Sequence, residues 1–372
     1  MPRPLPGANG MIYDKNRAKF LLDSVLTGAM TSGATGGGAK HFIGLSGGKD
    51  STACAAVAEY AGVEYTAFVC DTGHEKPVTL QYLDDLRKAL SGEVVTLQKK
   101  TTLAEFERRR AYIREEWSQW RIPDLRSKAR KALGVRQMQP PVPAPFIERA
   151  CATLTPTGDA FLDVLLVHGT MPQKRGKFCS LELKTELAWG ELIQPYLDGP
   201  HDGEDVVWWS GVRAEESVAR QGLAVYEPCG MDESGYVFNF RPIYHLKHED
   251  VFQIMQYMGL PWNPAYQLGD KRVGCNECFE ANKSAIRNSF TRDPSGLDTI
   301  ERWEREVAKV PRFAVQNGIS HVPFFREAYR LERYGNWATA REVFEWSQTK
   351  RGSTEKSDLT ITSCDSVYGL CG

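Results

Sequence analysis

No apolar run in the chain is long enough to span a bilayer, and residues 1–20 lack the hydrophobic stretch of a signal peptide. The expectation is a cytoplasmic protein with no membrane partner. Charge of one sign is also missing. With 46 Lys and Arg against 47 Asp and Glu, the net charge is −1, and the chain as a whole offers no bulk attraction to nucleic acid or to an anionic surface. There is no internal repeat, and the G-x-x-x-x-G-K-[ST] spacing of a Walker A loop is absent. Nine cysteines in a reducing compartment are poor disulfide candidates, so their spacing is read for metal, cluster or catalysis. What remains is an ordinary globular composition, and 372 residues suffice for one large or two unequal domains.

The informative stretch is His41-Phe42-Ile43-Gly44-Leu45-Ser46-Gly47-Gly48-Lys49-Asp50-Ser51-Thr52. A short apolar run reads as a strand, and the small residues Ala53 to Ala61 read as a helix. Between them lies a phosphate cradle. Gly47 and Gly48 allow backbone N–H groups to approach an anion, and the helix start adds unpaired donors and a positive dipole end. Ser46, Ser51 and Thr52 supply hydroxyls and Lys49 a mobile charge.

Further strands are expected at Tyr65 to Cys70, Glu93 to Leu97 and Val206 to Ser210, with helices at Lys15 to Leu26, Val78 to Leu90 and His248 to Met258. Strands alternating with helices argue for an α/β fold with a parallel sheet whose ligands sit beyond the strand carboxyl ends. Asp71-Thr72-Gly73 falls at one such end and Gly211-Val212-Arg213 at another, where Arg213 is a guanidinium suited to phosphate. The expected division is an N-terminal segment 1–39, a nucleotide-binding domain 40–290 and a helical C-terminal extension 291–372. Residues 108–136 carry ten Lys or Arg against three acids. A solvated helix face is the ordinary reading of such a run. Trp117, Trp120 and Arg121 within it leave a nucleic-acid face as the alternative.

In order along the chain, the Ser46–Ser51 loop, Asp71-Thr72-Gly73 with Glu75 and Pro77, the Cys179–Lys184 segment, Gly211-x-Arg213-x-x-Glu216-Ser217 and Gly274-Cys275-x-x-Cys278 resemble the phosphoadenosine phosphosulfate (PAPS) reductase family. That family belongs to the adenine-nucleotide α-hydrolase-like ATP pyrophosphatases, and the resemblance covers roughly residues 40–290. It implies an α/β, doubly wound parallel sheet with adenine nucleotide over the pyrophosphate loop (Ser46, Gly47, Gly48, Lys49, Asp50, Ser51, Thr52), and with Asp71, Thr72 and Gly73 bordering adenosine and the α-phosphate. Lys49, Asp50 and Arg213 are its implied catalytic residues, and ATP with Mg²⁺ its implied ligands. True PAPS reductases carry a degraded first loop, whereas this one is intact. The reading is therefore an ATP pyrophosphatase that adenylates a sulfur-containing or other acceptor, similar to the DNA-phosphorothioation sulfur-activating proteins. The alternatives are a thiol-dependent reductase of adenylylated sulfate and a nucleotide- or nucleic-acid-binding module without turnover.

Iron–sulfur members of the family imply Cys179, Cys275 and Cys278 as ligands, one short of the four thiolates of a [4Fe–4S] cluster or an all-thiolate zinc site. Cys364 or Cys371 completes the set in one reading, and an open iron does in another. In a third, Cys275, Cys278, Cys364 and Cys371 hold Zn²⁺ without Cys179. Cys54 and Cys70 read as core. The acceptor, and whether the chain forms a homo-oligomer, stay open.

Overall fold

A computed structural model describes residues 12–35, 37–121, 139–173, 176–200, 203–325 and 338–349. These form two compact units that interleave along the chain, whereas the division expected from the sequence is consecutive. One unit takes the described residues up to Lys99 and those from Phe178 to Asn288, and the other takes those from Lys100 to Lys177 and from Ser289 onward.

The first unit is built on a six-stranded sheet. Its strands are β1 (Lys40–Gly44), β2 (Tyr65–Cys70), β3 (Glu93–Leu97), β4 (Val206–Trp209), β5 (Tyr226–Pro228) and β6 (Val237–Phe240), in the order β3-β2-β1-β4-β6-β5. Neighbours are parallel except β5 and β6, which run antiparallel at the edge. Alternation along the four inner strands, β2, β1, β4 and β6, feeds two cores. Ile43, Ala67, Val69, Val207, Trp209 and Phe240 face one, and Phe42, Phe68, Cys70, Val206, Trp208 and Val237 face the other. Burial on both faces is why these strands read as continuous apolar runs. The doubly wound sheet is thus present, with an antiparallel edge strand added to it.

The order reverses at β1, which has β2 on one side and β4 on the other. Connections leave in opposite directions there and open a crevice at the carboxyl ends, the usual ligand position of such sheets. Helix α1 (Lys15–Thr31) precedes β1. Asp14 caps it by accepting from the Asn16 and Arg17 amides, and Arg17 pairs with Asp250 at 2.6 Å. Helix α2 (Lys49–Ala61) follows β1, and α3 (Pro77–Ala89) follows β2. Residues 178–197 form one run of helix broken by two π-helical stretches, Leu181–Thr185 and Trp189–Ile193.

The second unit is helical. It contains α4 (Leu103–Trp117) and the helices Ala144–Thr153, Ala160–His168, Pro294–Val307, Arg312–Gln316 and Ala340–Ser347. Phe106, Ile113, Trp117, Leu165, Trp303 and Phe324 are buried in it, and Phe161 stacks on Trp303 with centroids 4.7 Å apart. Among the described residues no helix is long and apolar enough to cross a membrane.

Candidate functional site

The turn after β1 is made by its own side chains. Gly47 sits at φ +76°, the left-handed region open to glycine, and Gly48 caps α2 in extended geometry. The Ser51 and Thr52 hydroxyls donate to the Gly48 carbonyl at 3.0 and 3.1 Å, and the Ser46 amide donates to Ser51 Oγ at 3.1 Å. These bonds start the helix at Lys49, four residues before the sequence expectation of Ala53. Lys49, Asp50 and Ser51 therefore form its first turn, where N–H groups lack intrahelical acceptors and the dipole favours an anion.

The loop after β4 closes onto that turn. A Cβ at Gly211 would lie 2.5 Å from the Ser51 nitrogen and 2.6 Å from the Asp50 carbonyl carbon, so only glycine permits this approach. Two residues on, Arg213 Nε donates to Asp50 Oδ1, and Lys49 Nζ reaches Asp50 Oδ2 at 2.7 Å. Arg213 also pairs with Glu215, and its amide donates to Glu216 at 2.9 Å. Burial acts to raise the Asp50 pKa, but the Lys49 ammonium and the Arg213 guanidinium outweigh it and hold the carboxyl down at about 2. Burial likewise works against the Arg213 charge, and Asp50, Glu216 and Glu215 more than offset it. The site therefore holds two cations and an ionised carboxylate at neutral pH, all at the crevice between β1 and β4. Half-buried His248, at the start of the helix His248–Tyr257, has its pKa lowered by burial and then by Lys49 and Arg213.

The third predicted loop lies after β2. Its first residue, Asp71, accepts from the Gly73 amide at 2.8 Å and from Gln98 at 3.1 Å. Thr72 is buried and bonded to Glu75 through both its amide and its hydroxyl, at 3.0 and 2.8 Å. Gly73 takes φ +75°. Burial raises the Glu75 pKa, with Lys184 of the first π-helical stretch opposing it. A Cβ on Gly47 would meet Thr79 Cγ2 at 2.5 Å, so the first loop also packs on α3.

The segment 263–278 reaches both loops. Asn263 and Tyr266 bond the first, and Asn276 N–H donates to the His74 carbonyl on the second. Glu75 forms a bridge with Cys275, and Lys76 pairs with Asp270 and Glu277 at 3.1 and 3.0 Å. Glu277, between the two cysteines, has φ +49° and accepts a bond from the His74 ring at its carbonyl, 3.0 Å away. The Cys275-x-x-Cys278 turn is thus fastened to the β2 loop. The cysteines are recognisable in the sequence as site residues, whereas Asn263 and Tyr266 are not. The Asn263-Pro264 pair is the signal for a turn there, though nothing local says what the turn touches.

Burial, and after it Cys275, pushes the Cys278 thiol up to about 12. Among the described residues no three His, Cys, Asp or Glu side chains are grouped to hold a metal ion. Cys364 and Cys371 lie outside the described residues. Cys54 and Cys70 are buried, as a core reading requires. In the basic segment Trp117 is only 2% exposed and belongs to the packing of its unit, which removes it as a stacking platform, while Trp120 is 59% exposed. Arg110 donates to the Cys151 and Leu154 carbonyls, and residues 122–136 lie outside the described part.

Residues 40–281, more than half of the chain, match the phosphoadenosine phosphosulfate reductase domain family. A protein of Escherichia phage 186, described as an uncharacterised 37.8 kDa protein in the gpa 5′ region, is 33% identical over 341 residues, covering 89% of this chain and 96% of its own. Among solved structures, a PAPS reductase from Candida auris in a phosphate complex is 14% identical with a TM-score of 0.36, covering 71% of this chain and 97% of its own. An NH3-dependent NAD synthetase from Campylobacter jejuni is 11% identical with a TM-score of 0.31, covering 83% and 94%. The family assignment rests on the sequence match and not on these distant structures.

Proposed function

Because the chain belongs to the phosphoadenosine phosphosulfate reductase domain family, we propose that it is an enzyme that binds ATP across the crevice between β1 and β4 and transfers the adenylyl group to a sulfur-containing acceptor. The observation that supports this is the joining of Lys49, Asp50 and Arg213 at the start of α2. An acceptor oxygen or sulfur attacks the α-phosphorus, the bond to the bridging oxygen of the leaving group breaks, and pyrophosphate departs with that electron pair. Negative charge grows on pyrophosphate, and Lys49, Arg213 and the first-turn amides of α2 are the groups placed to stabilise it. Asp50, whose oxygens also pair with Arg213 and Lys49, is the carboxylate that would hold Mg²⁺, and the ion would supply charge neutralisation at the β- and γ-phosphates when bound. Asp71 and Thr72 border the adenosine side.

In this reading Cys275 and Cys278, joined to the β2 loop, handle the sulfur. Cys179, Cys364 and Cys371 remain proposed partners of that pair for an iron–sulfur cluster or zinc. Anaerobic purification with metal analysis and an absorption spectrum decides between cluster, zinc and neither. The family match also favours a second reading, a thiol-dependent reductase of adenylylated sulfate. The deciding experiment incubates the purified protein with Mg²⁺-ATP and inorganic sulfate as acceptor, or with PAPS and a dithiol. Pyrophosphate from the first supports adenylation, sulfite from the second supports reduction, and ATP binding without either product leaves a binding module.

A further inference from the structure

The backbone and the ammonium of Lys49 are both held by one side chain 217 positions away. Tyr266 Oη accepts the Lys49 N–H at 2.9 Å, and Lys49 Nζ lies 5.9 Å from the centroid of the Tyr266 ring, within cation–π range. That N–H is a first-turn donor that the helix cannot satisfy itself, and the phenol oxygen satisfies it. The ammonium is then held between the Asp50 carboxylate and an aromatic face. Burial, and next Asp50, drives the phenol pKa far above neutrality, so Tyr266 is no proton acceptor, and its role is one of position.

Tyr266 is itself placed from the same loop. Asn263 Oδ1 accepts the Ala265 N–H at 2.9 Å, which folds Pro264–Tyr266 into a 3-10 turn. Asn263 Nδ2 donates to the Gly47 carbonyl and to Thr79 Oγ1, both at 3.1 Å. The short segment 263–266 therefore grips the phosphate turn at Gly47 and at Lys49, and Phe252 packs edge-on against the Tyr266 ring at 5.5 Å.

We propose that Tyr266, seated by Asn263, is the positioning residue for Lys49, setting the direction in which the ammonium leaves the α2 turn and hence the grip on the β- and γ-phosphates of a nucleotide. The ligand in this inference rests on the ATP reading above, whereas the positioning rests on the Tyr266–Lys49 contacts alone. The two are separated by using Tyr266→Phe, which keeps the ring and removes the hydroxyl, and Tyr266→Leu, which removes both. Hydrogen exchange without nucleotide, followed on peptides covering residues 46–52, should accelerate in Tyr266→Phe while β1 and β4 peptides stay unchanged. Dissociation constants for Mg²⁺-ATP should rise about fivefold in Tyr266→Phe, the size of one ordinary hydrogen bond, and further in Tyr266→Leu. AMP, which lacks the β- and γ-phosphates, should bind wild type and Tyr266→Phe alike. Equal weakening of ATP and AMP would mean general disruption and overturn the proposal, as would unaltered exchange at residues 46–52. A wild-type protein that binds no ATP removes the ATP reading, while the exchange result still decides the positioning.

Discussion

Asp50 is the residue on which most of the local charge turns. From the sequence, Lys49 and Asp50 belong to an open glycine turn, and their removal costs binding but little stability. In the structure Lys49 is 5% exposed, and Asp50 joins two buried cations from separate strands' loops. Removing one partner of a buried pair leaves the other charges uncompensated, commonly at about 3–5 kcal/mol. Asp50→Asn should therefore lower stability by roughly that amount, measured by urea unfolding, and should reduce Mg²⁺-dependent pyrophosphate release by about a hundredfold or more. Lys49→Ala should weaken ATP binding with a smaller stability loss, since Arg213 still compensates Asp50. Unchanged ATP affinity in both variants would remove the central claim. Gly211 is a second point where one residue decides. A methyl there meets the backbone of the Asp50–Ser51 peptide, not a flexible side chain, so relief must come from moving α2 or β4. Gly211→Ala should cost about 2 kcal/mol, typical of overpacking, and should lower pyrophosphate release more than the stability loss explains. Wild-type turnover in that variant would show the approach to be unneeded for chemistry.

Elements were legible in the sequence where one physical signal dominated. β2 has the expected bounds because an apolar run closed by turn residues has no other good reading, and β3, two valines and a leucine set in polar neighbours, has its expected bounds as well. The start of α2 was not legible. Ser51 and Thr52 look like loop hydroxyls, yet they return to the Gly48 carbonyl and extend the helix. β5 is three residues including Pro228, too short and too poor a strand former to be recognised without its partner β6. The role of 263–278 was hidden for a different reason, since its contacts join residues about two hundred positions apart. This segment is an element in its own right, anchored on the second loop through Lys76. Both acids that pair with Lys76, Asp270 and Glu277, are buried. Lys76→Met removes the cation that two buried carboxylates share, and should destabilise the unit by about 3–5 kcal/mol. Hydrogen exchange across 270–278 should accelerate before that of the central strands. If exchange there is unaltered, the anchoring comes instead from the bonds of His74 to Asn276 and Glu277.

At the scale of the whole molecule the chain builds two units by leaving the first after β3 and returning to it at Phe178, a path that periodicity along the sequence does not announce. The helical unit has its own titration. Glu304 is 1% exposed, and its carboxylate accepts from the Phe324 amide at 2.8 Å and the Ala340 amide at 3.1 and 3.0 Å, holding two segments against the helix Pro294–Val307. Burial raises its pKa, the two amides oppose the rise, and Glu301 and Glu342 add to it, leaving the value at about 7 against 4.5 for an ordinary glutamate. A folded pKa above the unfolded one means that the folded unit binds the proton more tightly. Its stability contribution is then full below about 4.5 and is lost as pH rises through about 7, a change of roughly 3 kcal/mol for this shift. Glu304→Gln carries no charge at any pH and keeps an oxygen for the amides. Over pH 5 to 8, wild-type protection from hydrogen exchange in residues 294–307 and 340–347 should fall, whereas that of the glutamine variant should stay nearly level. Above pH 7 the variant should be the more protected of the two. Parallel pH profiles for both proteins would assign the titration to another group and leave Glu304 as a plain hydrogen-bond acceptor.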